Sequence, residues 1–260
     1  MTEYTRFAHY LTIGLYSLGL IFSVTALMAK RPLRLAAWAT VLGLLTQTGL
    51  LLARWLVSGF LPVTGLFSAL HFLVMWMVLI TLYFVWRYYA SPILPGVLLI
   101  SLIALLKAGT GEMALGPLTP ALDTPLFFLH VAPSFAAYGL FGVAAMISAM
   151  RLIGVSGSLW GHERRMLDEA VFIGYIFLSW CMIAGSLWAY LAWGSYWTWR
   201  VKGLWTTLLW FYYSALVHVR NRGRWQGWPM DVMTIVGFGL VLFTFLGLSL
   251  IFDENSHPLK

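Results

Sequence analysis

Seven of this chain's fourteen tryptophans fall between residues 180 and 210: Trp180, Trp188, Trp193, Trp197, Trp199, Trp205 and Trp210. The densest piece, Trp193-Gly-Ser-Tyr-Trp-Thr-Trp199, places four aromatics in seven residues, with Gly194 and Ser195 to bend it. An interfacial belt, the ordinary reading of membrane-edge aromatics, scatters about one or two per helix end. A cluster this dense can form a flat apolar shelf on which a large planar molecule stacks. Arg200 and Lys202 lie beside it and can pair with carboxylates on such a molecule. Six histidines, His9, His71, His130, His162, His218 and His257, supply imidazoles that can ligate a metal.

These groups sit in a very apolar chain. Of its 260 residues, 61% are hydrophobic and 10% charged, whereas soluble domains carry about 25% charged residues. A membrane-spanning helix needs about 20 mostly apolar residues. Eight apolar segments are readable, at approximately 7–29, 33–56, 62–86, 92–107, 125–150, 169–193, 203–219 and 230–252. The expected fold class is all-α: a polytopic membrane bundle of about eight transmembrane helices, one transmembrane domain over 1–260. Residues 194–205 are expected to be an external tryptophan-rich loop between spans six and seven. Only Glu3 and Arg6 are charged ahead of the first span, so the basic leader of a cleaved signal peptide is not expected.

Cation placement sets the orientation. The connections after spans one, three, five and seven carry Lys30, Arg31, Arg34, Arg87, Arg151, Arg164, Arg165, Arg220, Arg222 and Arg224; the other side carries Arg6, Arg54, Lys107, Arg200, Lys202 and Lys260. Both termini and the tryptophan loop are therefore expected outside. The net charge of +7 is mostly this topology signal, and no basic groove with interleaved aromatics argues for nucleic acid. The single cysteine, Cys181, excludes an intrachain disulfide and a cysteine-cluster metal site, and there is no CxxCH for covalent haem. No nucleophile–base or paired-carboxylate constellation stands out, so no catalytic residue is assigned. A planar, largely apolar ligand with two carboxylates describes haem, here non-covalent haem b.

The run Trp188-Ala-Tyr-Leu-Ala-Trp-Gly-Ser-Tyr-Trp-Thr-Trp199, followed by Trp205 and the segment Trp210 to His218, resembles the tryptophan-rich WWD signature of haem-handling membrane proteins. The nearest branch is the CcsA/ResC family of cytochrome c assembly proteins, whose pattern reads W-G-x-Y-W-x-W-D-P-K-E-x-W and then a helix ending near L-H-x-R. Trp193, Trp197, Trp199, Lys202 and Trp205 match; Arg200 stands at the Asp position, Val201 at the Pro and Gly203 at the Glu. The resemblance places His130 and His257 at the two external axial ligands of haem iron, and His218 at the intramembrane histidine that meets a second haem position. For each there is a plainer role: a helix-start residue for His130, a loose tail for His257, and a headgroup-facing residue beside Arg220 for His218. His71 reads as an interhelical hydrogen bonder, while His9, at the outer start of span one, and His162, in a solvated cytoplasmic loop, read as histidines without a special role.

The resemblance implies one half of a system II cytochrome c synthase in a bacterial inner membrane. Haem would enter near His218, settle between His130 and His257, and meet the CxxCH segment of an apocytochrome c. A CcsB/ResB-like membrane protein would be the partner within the lipid bilayer. Whether the chain is itself part of a haem lyase stays open, because the acidic residues of the signature are absent. The alternatives are a non-catalytic haem-binding, haem-export or regulatory paralogue (HemX-like), and a small-molecule transporter.

Overall fold

The computed structural model describes residues 2–115, 120–154, 162–220, 225 and 227–247. Among these residues there is no strand, and eight α-helices follow one another: α1 Thr2–Met28, α2 Arg34–Ser58, α3 Leu66–Tyr88, α4 Ile93–Ala108, α5 Pro125–Leu152, α6 Glu163–Trp193, α7 Val201–Arg220 and α8 Trp228–Leu242. A π-helical turn, Phe243–Gly247, continues α8. Each apolar segment of the sequence coincides with one helix. Six of the eight are long and apolar enough to cross a membrane: α1, α2, α3, α5, α6 and α8 with its π turn. The apolar α4 is shorter, at 16 residues, and α7 is diluted by Lys202, Thr206, Thr207, Tyr212, Tyr213, Ser214 and His218.

The first two helices are inverted relative to those of a soluble protein. On α1 the buried stripe is Thr5, Ala8, His9, Thr12, Tyr16, Gly19 and Ser23, at helical i, i+3, i+4 and i+7 spacing. Its outward face carries Phe7, Tyr10, Leu18, Ile21 and Met28. α2 largely repeats this, burying Ala36, Ala39, Thr40, Gly43, Gln47 and Arg54 along with Leu50 and Leu51 while exposing Leu35, Trp38, Leu42, Leu45 and Leu56. Small and polar residues at the seam with apolar ones outside is how helices pack in lipid, where burial of apolar surface drives nothing. In water the same outer faces would make an apolar patch far beyond what soluble monomers expose.

The chain divides into two compact units, the first holding α1 to α4 and the second α5 to α8. In the first, Tyr16, Val74, Val78, Leu94, Leu98 and Leu105 form the apolar centre with Ala36. A Cβ added at Gly43 would lie 2.6 Å from the Tyr16 ring, so that glycine lets α1 and α2 approach. A polar network crosses this unit: the Tyr16 hydroxyl donates to Gln47 Oε1 (2.6 Å), and Gln47 Nε2 donates to the His71 carbonyl (2.9 Å). His71 Nε2 lies 3.0 Å from His9 Nδ1. His71 is thus an interhelical hydrogen bonder. His9, for which no special role is expected, is only 1% exposed, because α1 starts at Thr2 and carries residue 9 on its buried stripe. Arg54 is buried too, donating to the Met113 carbonyl at 2.7 Å and the Ser68 hydroxyl at 3.3 Å.

In the second unit α5 lies along α6, where a Cβ at Gly174 would fall 2.5 Å from the Phe141 ring. That ring stacks on Tyr213 of α7, centroids 3.5 Å apart and 13° from parallel. Ion pairs join the helix ends away from the tryptophan loop: Arg151 Nε lies 3.4 Å from Asp231, and Arg220 is paired with Asp168 through Nε at 2.8 Å.

Candidate functional site

Local sequence explains how His130 is presented. Thr124 caps α5, its Oγ1 accepting from the Phe127 N–H at 3.2 Å, and Pro125 occupies the first turn, where its missing N–H costs nothing. His130 follows in the second turn. Pro133, three residues on, cannot donate to the Leu129 carbonyl, which loosens the helix beside the histidine.

The ring of His130 is held by α6. Its Nδ1 is 2.9 Å from the Cys181 carbonyl and 3.4 Å from the Cys181 sulfur. A carbonyl only accepts, so Nδ1 carries the hydrogen and Nε2 of the neutral ring keeps its lone pair. Among the described residues Nε2 has no hydrogen-bond partner. The ring lies nearly parallel to the Trp188 indole, 14° apart with centroids at 5.7 Å. A Cβ at Gly185 would fall 2.5 Å from Nδ1, so the ring occupies the space a side chain would need. Cys181, Gly185 and Trp188 repeat at i, i+4, i+7 and therefore share one face of α6.

Trp188 is itself fixed. Its Nε1–H donates to the Ala121 carbonyl at 2.7 Å, in the short turn ahead of α5, and Trp193 meets it edge-on at 4.8 Å.

 Gly194 has φ 73°, in the left-handed region, and its N–H donates to the Tyr190 carbonyl at 2.8 Å, which ends α6. The loop then runs over residues 194–200, tied by the Ser195 hydroxyl to the Trp197 carbonyl (3.0 Å) and by a Tyr190–Tyr196 stack at 4.2 Å. Trp193 and Trp199 are exposed, at 54% and 73%, and Trp197 meets Trp199 edge-on at 6.4 Å. Helical backbone resumes at Val201, so Lys202 and Trp205 stand on the first turns of α7. Lys202 is close enough to His130 to act on it electrostatically. Arg200 is exposed on the loop. Trp205 packs against Phe243 of the π turn, centroids 4.7 Å apart, and so secures α7 to the end of α8.

His218 sits on the last turn of α7, about 25 Å along the helix from Val201. Its Nδ1 donates to the Ser214 carbonyl at 2.7 Å, and its ring is exposed. His257 lies outside the described residues. The structure therefore groups His130 with Trp188, Trp193 and Lys202, and sets His218 apart at the far end of the same unit. Trp188, Cys181 and Gly185 had no assigned role in the sequence; their shared helical face was the available signal.

A helical membrane protein with an aromatic, histidine-bearing site is the class these features define. Residues 63–253 match the family described as Cytochrome C assembly protein, and the chain belongs to that family. It is 27% identical over 268 residues to "Cytochrome c biogenesis protein CcsA" of Prochlorococcus marinus (strain MIT 9312), covering 89% of this chain and 86% of that one. The protein of the same name from Chlamydomonas reinhardtii is 29% identical over 229 residues, covering 80% and 63%. Among solved structures, "Cytochrome c Heme Lyase CcmF" shares the fold, with a TM-score of 0.71 at 18% identity; the match covers 93% of this chain and 46% of that one. The family supports a role in cytochrome c maturation.

Proposed function

We propose that this protein holds haem b non-covalently as cargo at the outer membrane face and presents it for attachment to the CxxCH segment of an apocytochrome c. The observation that carries this reading is His130: a neutral imidazole whose Nδ1–H is spent on a carbonyl, leaving Nε2 free beside an aromatic assembly. Haem-ligating histidines are commonly held this way, with the second ring nitrogen bonded to a carbonyl or carboxylate. The donor set fits haem in its other parts as well. Trp193, Trp197 and Trp199 offer stacking faces, and Arg200 and Lys202 offer cations for propionates. His257 is the proposed second axial ligand, and His218, with its own Nδ1 bonded and its ring exposed, the proposed ligand at an inner position.

In this reading the chain forms one domain of eight spans with both termini outside, in a bacterial inner membrane, and works with a CcsB/ResB-like partner. Its residues bind and orient haem, while the thiols of the apocytochrome supply the bond-forming groups. The test is co-expression with a CcsB-like protein and a reporter cytochrome c. Covalent haem on the reporter, lost with His130→Ala, is the expected result; none from a verified complex refutes the synthase role.

A specific observation favours a second reading, a haem-binding or regulatory paralogue of the HemX kind. At Gly203, where the resembling pattern has Glu, an added Cβ would strike the Thr198 carbonyl. The loop has closed onto α7 in the space an acidic side chain would use. Haem bound by the purified protein without any transfer to the reporter supports this second reading.

A further inference from the structure

The face of α6 behind His130 has a role that rests on the haem reading above and deepens it.

We infer that Cys181, Gly185 and Trp188 of α6 are positioning residues that select Nε2 of His130 as the ligating atom and fix the plane of its ring. The Cys181 carbonyl receives the Nδ1 hydrogen at 2.9 Å. A backbone acceptor cannot change its protonation or leave the helix, so the tautomer is set by the fold rather than by a titrating partner. Trp188 sets the plane by stacking at 14°, and is itself pinned to Ala121 and touched by Trp193. It thereby links the tryptophan loop to the ligand ring. Gly185 provides the room: any side chain would press on Nδ1 from 2.5 Å and break the bond to the carbonyl.

Gly185→Ala is the direct test, with Gly174→Ala as its control. Both drive a methyl group into a ring at 2.5 Å on the same pair of helices, but only the first meets His130. In the purified, haem-loaded protein, Gly185→Ala is expected to lower haem retention roughly tenfold, the lower end of the usual cost of losing an outer partner of a metal ligand. Its low-spin spectrum should become high-spin, and added imidazole should restore it. Gly174→Ala should keep the wild-type spectrum. Trp188→Leu, which leaves space rather than filling it, should also weaken retention and serves if Gly185→Ala does not fold. In haem-free protein, nitrogen NMR of labelled histidine should show His130 protonated at Nδ1.

A wild-type spectrum in both Gly185→Ala and Trp188→Leu overturns the inference and leaves the haem reading intact, provided His130→Ala loses haem. The same spectral change in Gly174→Ala, or a hydrogen found on Nε2, also overturns it. A wild type that takes up no haem refutes the haem reading instead, and the NMR result then decides the tautomer alone.

Discussion

Replacing Gln47 by leucine removes the centre of the polar network in the first unit. Gln47 is fully buried, accepts from Tyr16 at 2.6 Å and donates to the His71 carbonyl at 2.9 Å. In a water-soluble protein each orphaned buried partner costs about 1–3 kcal/mol. Between membrane helices coupling energies are smaller, averaging about 0.6 and reaching about 1.7 kcal/mol, because the unpacked helices also find partners. The Tyr16 hydroxyl, sealed from lipid and water alike, belongs near the upper figure. Gln47→Leu is therefore expected to destabilise the protein by about 2 kcal/mol. Tyr16→Phe alone should cost about 1 kcal/mol, and the double variant should fall short of their sum by about 1 kcal/mol. Unfolding in mixed micelles, followed by tryptophan fluorescence, measures the cycle. Additivity within about 0.3 kcal/mol would refute the direct Tyr16–Gln47 bond.

Three further outcomes follow from the second unit. Arg151→Met leaves the Asp231 carboxylate, 5% exposed, without its cation and should cost about 3 kcal/mol in the same unfolding assay; adding Asp231→Asn should recover most of it. Gly203→Glu drives a side chain into the Thr198 carbonyl and should cost about 1–3 kcal/mol as overpacking, with faster proteolysis of the 194–200 loop; an unchanged cleavage rate contradicts the packing described. Trp205→Ala should loosen α7 from the π turn at Phe243 and lower stability by about 3 kcal/mol, whereas Trp199→Ala, exposed on the loop, should change haem retention with little effect on unfolding.

The helices were legible because a bilayer demands long apolar runs, and each run became one helix. The aromatic cluster was legible as composition. Contacts that depend on tertiary packing were not. His9 and His71 are 62 residues apart, and nothing local in the sequence marks them as neighbours. His9 is packed because polar residues on a membrane helix line its buried face, the reverse of the soluble rule. The bond that orients His130 goes to a backbone carbonyl, a group every residue possesses, so no side-chain pattern announces it. Trp205 matched the aromatic signature, yet its ring packs on Phe243, a contact set by where α8 ends.

Haem content is the direct readout of His130 as the proposed haem ligand. Protein purified from haem-replete cells, assayed as the pyridine haemochrome per chain alongside its absorption spectrum, should carry haem with a low-spin spectrum. His130→Ala should lose most of that haem while remaining folded. A haem-free wild type, or a His130→Ala protein with unchanged content and spectrum, would rule out haem ligation by His130.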